Sequence, residues 1–462
     1  MNIDKINSTA IVLAAGQGTR MKSDRPKVLH EIMGRPMIAY LLDTLKGLGI
    51  EDILVVVGYQ AEKVQEAIKK FGYEPRFVLQ EPQSGTGHAV QVALPAVPPQ
   101  ARTVMALCGD VPLIPAEGIL ALYRLHEASG AAVTVQTAIL PDGLHYGRVV
   151  RDEAGQVLEV VQSRDADPEL LKIREINTGT YFFDAVFLKE AIRDLRPNNV
   201  QKELYLTDLI LFARERDRGV EGLAEPEWQD VLGINSRAEL AQANQRVKRL
   251  INEAHMAQGV TLIDPESTYI ETTVSIGRDT VIYPNCYLQG ATVIGENCLI
   301  EPNVKIADSE LAHGVVVKMG CYIAQSRLGP GVQAGPYSHL RPLSDLRAGV
   351  RVGNFVEVKK SVLHEGVKAN HLTYLGDAEV GAGTNVGAGT ITCNYDGEKK
   401  HRTVIEAGAF IGSNTALVAP VTIGAGAYVG AGSAITEDVP PGKLGISRAR
   451  QVNLERKILP KK

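Results

Sequence analysis

The chain has no basic excess, little cysteine and no long apolar stretch at its amino terminus. A formal net charge of −4 over 462 residues argues against non-specific nucleic-acid binding, which needs a broad basic surface. No apolar run precedes Ser8, so neither a signal peptide nor a membrane anchor is expected. The five cysteines include no Cys-x-x-Cys pair and no histidine at zinc spacing, and a reducing cytoplasm fits their sparse use. What remains is a soluble globular composition, 22% charged and 45% apolar. The length calls for two or three domains.

The strongest positive signal is a beat of six. Aliphatic residues fall at Ile411, Leu417, Ile423, Val429 and Ile435, each followed four places later by a small or β-branched residue, from Thr415 to Val439. The beat also runs from Ile270 through Ile276, Ile282, Leu288, Ile294 and Ile300 to Ile306, then at Val352 and Val358 and at Val380 and Val386. Neither a helix nor a simple strand has this period; hexapeptide β-helix repeats do. Each hexad supplies one short strand and one turn, and three hexads close a triangular coil that buries its core only by stacking. Cys286 and Cys298 occupy the small-residue slot and read as buried structural thiols. Residues from about 260 to 440 resemble the left-handed parallel β-helix of hexapeptide acyltransferases. The phase changes between Ile306 and Val352, Val358 and Val380, and Val386 and Ile411 are expected to mark insertions or irregular coils, where function gathers.

The first half has another rhythm. Short buried-strand patterns at Ser8–Ala14, Ile53–Val57 and Thr103–Leu107 alternate with helical stretches at Ile38–Leu48 and Ala61–Phe71. This alternation predicts an α/β domain over residues 1–235, built on a Rossmann-like parallel sheet that binds ligands at the carboxyl ends of its strands. Asn235 or Ser236 can cap a linker helix over 236–259 that Gly259 stops, with Leu240, Val247, Leu250, Ile251 and Ala254 as its apolar stripe. Residues 260–462 then hold the β-helix and a basic tail carrying Arg448, Arg450, Arg456, Lys457, Lys461 and Lys462.

After the first strand comes Leu13-Ala14-Ala15-Gly16-Gln17-Gly18-Thr19-Arg20-Met21, then Pro26-Lys27. Two glycines let backbone N–H groups close around a phosphate, and Arg20 and Lys27 bring positive charge. Met21 stands where a dinucleotide fingerprint needs its third glycine, and the Lys-Ser/Thr of a P-loop is absent. The segment as a whole resembles the signature of sugar-phosphate nucleotidyltransferases. That resemblance implies that Leu13, Ala14, Ala15, Gly16, Arg20 and Lys27 bind UTP and that Gln80 and the Gly85-Thr86 pair read the uracil. It also implies sugar contacts at Gly147, Gln162 and Asn177, and Mg²⁺ held by Asp110 and Asn235. Gln162 stands where many relatives carry glutamate; it can still accept a hydroxyl hydrogen bond, without the charge.

The stretches at the breaks of the hexad beat contain Leu340-Arg341-Pro342, Val358-Lys359, His371-Leu372-Thr373-Tyr374 and Asn394-Tyr395-Asp396. With these, essentially the whole chain resembles the bacterial family of bifunctional enzymes that make UDP-N-acetylglucosamine, a precursor for peptidoglycan and lipopolysaccharide. The resemblance implies that His371 is a general base, a role suited to imidazole chemistry near neutrality. It would take a proton from the amine of glucosamine-1-phosphate as that amine attacks acetyl-CoA. Arg341 and Lys359 would hold the sugar phosphate, and Tyr374, Asn385, Asn394 and Tyr395 would position the sugar and the acetyl group. Ala388, Ser413, Ala431 and Arg448 would line the acetyl-CoA site. The product, N-acetylglucosamine-1-phosphate, would then be coupled to UTP with release of pyrophosphate. A homotrimer is the implied assembly, with neither nucleic acid nor membrane as partner. Two rivals stand beside this reading: a nucleotidyltransferase with a silent regulatory β-helix, and a binding protein that uses the β-helix to trimerise.

Overall fold

A computed structural model describes residues 6–455 apart from Leu144; Arg456, Lys457, Lys461 and Lys462 of the basic tail lie outside the described residues. Two compact units divide the chain, Met1–Asn244 and Gln245–Lys462. Among the described residues no helix is long and apolar enough to cross a membrane.

The first unit is built on one sheet. Its strands are β1 (Thr9–Ala14), β2 (Ile53–Val57), β3 (Arg76–Leu79), β4 (Thr103–Cys108), β5 (Val133–Ile139), β6 (Arg148–Arg151), β7 (Val157–Val161), β8 (Glu175–Asp184) and β9 (Val220–Glu225). Helices α1 (Met37–Gly47), α2 (Ala61–Lys70), α3 (Thr86–Ala93), α4 (Ala116–Ser129), α5 (Ala185–Ala191) and α6 (Asp208–Glu215) connect them. The main order is β9-β5-β8-β4-β1-β2-β3, with β6 joined to β8 and β7 to β6. Strands β4, β1, β2 and β3 are parallel neighbours, as the alternation with helices predicts. The sheet as a whole is mixed, since β8 runs antiparallel to both β4 and β5. Apolar residues of β1, β2 and β4, such as Ile11, Val55 and Met105, are fully buried.

Helix α7 (Arg237–Ala257) follows. Its start is a capping box: Ser236 Oγ accepts from the Glu239 amide at 3.2 Å, while the Glu239 carboxylate accepts from the Asn235 amide at 2.7 Å. Gly259, at φ 92°, lies just beyond its end. The predicted apolar stripe is only partly right. Leu240 and Val247 are buried, but Leu250 and Ala254 are exposed. The carboxyl-terminal part of the helix instead buries Lys248 and Asn252. Asn252 Nδ2 donates to the carbonyls of Pro265 (2.8 Å) and Thr268 (3.0 Å), and Lys248 donates to that of Glu266. The start of the β-helix presents unpaired carbonyls, so polar side chains fit better there than leucine.

The second unit is a left-handed β-helix of three parallel sheets with 11, 10 and 9 strands. The first sheet runs from Thr261–Leu262 to Leu444–Gly445, the second from Tyr269–Ile270 to Ala434–Ile435, and the third from Ser275–Ile276 to Val421–Ile423. The chain visits the three in turn, and the beat residues Ile270 to Ile306 are buried in the prism with Cys286 and Cys298. Most phase changes are neither insertions nor irregular coils. The step is five residues, not six, from Ile306 to Leu311, Ile323 to Leu328, Val358 to Leu363 and Leu375 to Val380, all buried positions. Each short step falls at the corner between the second and third sheets and contains one residue with positive φ: Asp308, Gln325, Lys360 and Asp377. A left-handed residue turns this corner in six-residue steps too, as at Gly290 and Leu343, and the short coils make the same turn with one residue fewer without losing register. The third phase change is a true insertion, between strands Ile391–Cys393 and Thr403–Ile405, at that same corner.

Candidate functional site

In the first unit the strand ends do the positioning. β1 ends at Ala14, β4 delivers Cys108 and then Asp110, β3 leads into Gln80, and Gly85 precedes α3. Two adjoining cavities open here. Leu13, Ala14, Ala15, Gly16, Lys27, Gln80, Gly85, Thr86 and Asp110 line one; Leu13, Arg20, Thr86, Asp110, Gly147, Gln162, Asn177 and Asn235 line the other. All the residues predicted for uridylyl transfer therefore face one cleft, and Asp110 sits where its two halves meet.

Local geometry fixes several of these groups. Gln80 is buried and its Nε2 donates to the Gly85 carbonyl at 2.9 Å, leaving its carbonyl oxygen for a ligand. The register of β8 shifts between Asn177 and Tyr181, a bulge that re-aims Asn177 and Thr178 toward the cavity. Gly179, at φ 83°, makes that bulge possible: a Cβ there would lie 2.8 Å from Cys108 Sγ. Asn235 Oδ1 receives hydrogen bonds from Lys27 Nζ at 2.6 Å and Arg20 at 2.7 Å, and Lys27 also contacts the Asp110 carboxylate. Gln162 reaches Thr207 Oγ1 at 3.5 Å. Sequence reasoning missed Cys108, His145 and Thr207, which also line the cleft. The strand-end position of Cys108 was the available signal. Burial and the nearby Asp110 charge push its thiol up to about 12, so it serves as a packing group, not a nucleophile.

In the second unit the predicted residues fall along two edges of the second sheet. His371 ends strand Lys368–His371, at the corner between the first and second sheets, and pairs in register with Asn354 one coil earlier. Its Nδ1 lies 2.9 Å from Asn354 Oδ1. Donation from Nδ1–H to that carbonyl oxygen leaves Nε2 free to accept a proton. Asn354 was not predicted; its place directly under the histidine in the ladder is the only signal.

Backbone bonds continue this corner upward. The Gly389 amide donates to Leu372, Asn414 to Ala388, and Gly432 to Ser413, and the Arg448 guanidinium donates to the Ala431 carbonyl at 2.6 Å. Ala388, Ser413, Ala431 and Arg448 thus succeed His371 coil by coil, over a rise of about 20 Å at the ordinary strand spacing. Asn385 sits in the first sheet, between Lys368 and Phe410 in its ladder.

The other edge, at the second-to-third corner, is basic. Arg341 pairs with Glu357 at 2.7 Å, and Tyr374 stands next to Glu357 in the ladder. Lys400 lies close to Lys359, and its presence holds the Lys359 ammonium below its ordinary range. Two neighbouring ammonium groups suit an anion. Lys400 was missed because it belongs to the insertion, where no periodicity locates it. The same insertion carries Asn394, whose Nδ2 donates to Asp377 at 2.6 Å, and the exposed Tyr395. Asp396 stabilises the loop by accepting from the amides of Glu398 (2.8 Å) and Lys399 (2.7 Å) and from His401 (2.6 Å), which depresses its carboxyl strongly.

Comparison with known proteins agrees with both halves. Residues 10–170 match the MobA-like NTP transferase domain, and residues 273–308 and 402–437 match the bacterial transferase hexapeptide (six repeats). The chain is 48% identical to the bifunctional protein GlmU of Heliobacterium modesticaldum over 442 residues, 96% of each chain. It is 48% identical to that of Pelobacter propionicus over 449 residues, 97% of each. With that of Geotalea uraniireducens it shares 46% over 456 residues, 99% of this chain and 100% of the relative. Similarity of this degree over nearly the full length means that the chain belongs to the bifunctional GlmU family, which joins a uridylyltransferase to a hexapeptide-repeat acetyltransferase.

Proposed function

We propose that the chain makes UDP-N-acetylglucosamine in two steps, with the residues named above in the roles the sequence suggests. In the β-helix the amine of glucosamine-1-phosphate attacks the carbonyl carbon of acetyl-CoA. His371 Nε2 takes the amine proton, and the carbonyl–sulfur bond breaks to release coenzyme A. Arg341, Lys359 and Lys400 hold the sugar phosphate. Tyr374, Asn385, Asn394 and Tyr395 orient the sugar and acetyl group, while Ala388, Ser413, Ala431 and Arg448 accommodate the coenzyme.

In the first unit the phosphate oxygen of N-acetylglucosamine-1-phosphate attacks the α-phosphorus of UTP, and pyrophosphate leaves. Gln80, Gly85 and Thr86 hold the base; Gly147, Gln162 and Asn177 hold the sugar; Arg20 and Lys27 offset charge at the phosphates. Family membership implies a divalent metal. Asp110 and Asn235 suit Mg²⁺: their side-chain oxygens converge on one ammonium, Lys27 Nζ, and both are hard donors that leave room for phosphate oxygens and water. Such a metal would neutralise charge on the triphosphate. We also propose a homotrimer working in the cytoplasm, where acetyl-CoA and UTP are available.

The observation that carries the bifunctional reading is His371 tied to Asn354 beside a basic edge of Arg341, Lys359 and Lys400. A silent scaffold has no use for that grouping. Supplying the full chain with glucosamine-1-phosphate, acetyl-CoA, UTP and Mg²⁺ should release free thiol and pyrophosphate in equal amounts. Pyrophosphate release only when pre-acetylated sugar phosphate is supplied would restore the regulatory rival.

A further inference from the structure

Lys27 stands where a metal would have to stand. Its ammonium contacts the Asp110 carboxylate and lies 2.6 Å from Asn235 Oδ1. Those are the two oxygens assigned to the divalent ion; Arg20 also donates to Asn235 Oδ1, at 2.7 Å, and Lys27 is the cation that bridges both oxygens. The arrangement is built in detail. Asn235 is buried, and its Nδ2 donates to the Gly233 carbonyl at 2.9 Å, which turns Oδ1 toward the cleft. Its backbone amide is held by Glu239 at 2.7 Å. Lys27 passes so close to Gly18 that a Cβ there would lie 2.7 Å from Lys27 Cβ, so the glycine is what admits the lysine stem. The Lys27 side chain is only 13% exposed, which keeps the contact largely out of water.

An ammonium and a divalent cation cannot share these oxygens: both need the same lone pairs, and their charges repel. We propose that Lys27 is a resident cation that guards the metal site and yields it only when metal and triphosphate arrive together. Metal alone must strip Lys27 from its carboxylate and leave the ammonium without an anion. With the triphosphate present, the displaced ammonium finds phosphate oxygens, so each ligand removes a penalty on the other and the two bind cooperatively. The same movement brings the lysine from its resting position to the phosphates it serves in the reaction. The inference rests on the assignment of Asp110 and Asn235 to the metal.

The test uses Mn²⁺ as a paramagnetic probe, with the full chain and no nucleotide, and reads free Mn²⁺ by electron paramagnetic resonance. Lys27→Met should bind Mn²⁺ about tenfold more tightly than the unaltered chain, the scale of one charge-assisted hydrogen bond no longer broken. Lys27→Gln should behave alike, and Lys27→Arg, which keeps the cation, should stay weak. Equal or weaker binding by both neutral variants, with their thermal midpoints unchanged, would overturn the guard role. Adding Asp110→Asn to Lys27→Met should abolish the tight site; if tight binding persists there, the metal assignment itself is wrong.

Discussion

At the scale of single residues, two side chains make predictions with opposite readouts. His371 depends on Asn354 for the tautomer that leaves Nε2 as acceptor. His371→Ala should lower acetyltransfer by roughly a hundredfold or more, the usual scale for a positioned general base. Asn354→Leu should lower kcat by about tenfold, as loss of an orienting partner does. Neither should alter pyrophosphate release, and near-normal acetyltransfer by His371→Ala would demote it to a structural residue. Asp208, at the start of α6, is a liability of another kind. Burial, with Asp165 nearby, raises its carboxyl to about 6. A carboxyl raised in the folded state carries no penalty below the unfolded value and destabilises as pH climbs through the folded one. Asp208→Asn should therefore add on the order of 1 kcal/mol of stability at pH 7.5, once solvent screening of this part-exposed group is discounted, and almost nothing at pH 4. Denaturant melts of the two chains at both pH values check the sign; a gain larger at pH 4 would contradict it.

Elements show where a sequence is readable and where it is not. The buried face of each hexad speaks through a fixed period, so the prism, its core and most of its strands could be located from Ile270, Ile276, Ile282 and their successors. The glycine-rich turn after β1 was readable for a different reason: Gly16, Gly18, Arg20 and Lys27 form one local segment whose chemistry is restrictive. Tertiary pairings were not readable. Asn354 lies 17 residues from His371, and only the coil length brings them together. Lys400 is hidden in an aperiodic loop, and the direction of β8 depends on a connection whose length does not declare its path. The buried face of helix α7 was only partly readable by pattern, since Leu250 fits an apolar stripe while the start of the β-helix demands donors such as Lys248 and Asn252. Its amino-terminal end, by contrast, makes a clean prediction. The capping box of Ser236 and Glu239 also holds the backbone of Asn235. Ser236→Ala should cost about 1 kcal/mol, as lost caps do. Glu239→Ala should in addition raise the Mg²⁺ concentration needed for uridylyl transfer while acetyltransfer stays unchanged. An unchanged Mg²⁺ requirement would separate the cap from the site.

For the molecule as a whole, the arrangement of the acetyltransfer residues poses a question of assembly. His371 and the positions proposed for the coenzyme climb one corner of the prism, while Arg341, Lys359 and Lys400 occupy the next corner across the second sheet. A substrate lying across that sheet can reach both edges, but a coenzyme along the exposed corner would have solvent on its outer side. Exposed apolar residues line that corner near His371: Tyr337 stacks on Phe355 with ring centroids 5.9 Å apart, and Leu372 is 60% exposed. A neighbouring prism seated there would cover this ridge and close the far wall of the groove, and cyclic symmetry would repeat the contact three times. In that arrangement one subunit supplies both the base and the positions along its corner, and its neighbour covers the outer side of the coenzyme. Sedimentation should give three chains per particle, and dilution to monomers should lower acetyltransfer while pyrophosphate release continues. Full acetyltransfer by a chain that stays monomeric at nanomolar concentration would place the whole site on one subunit.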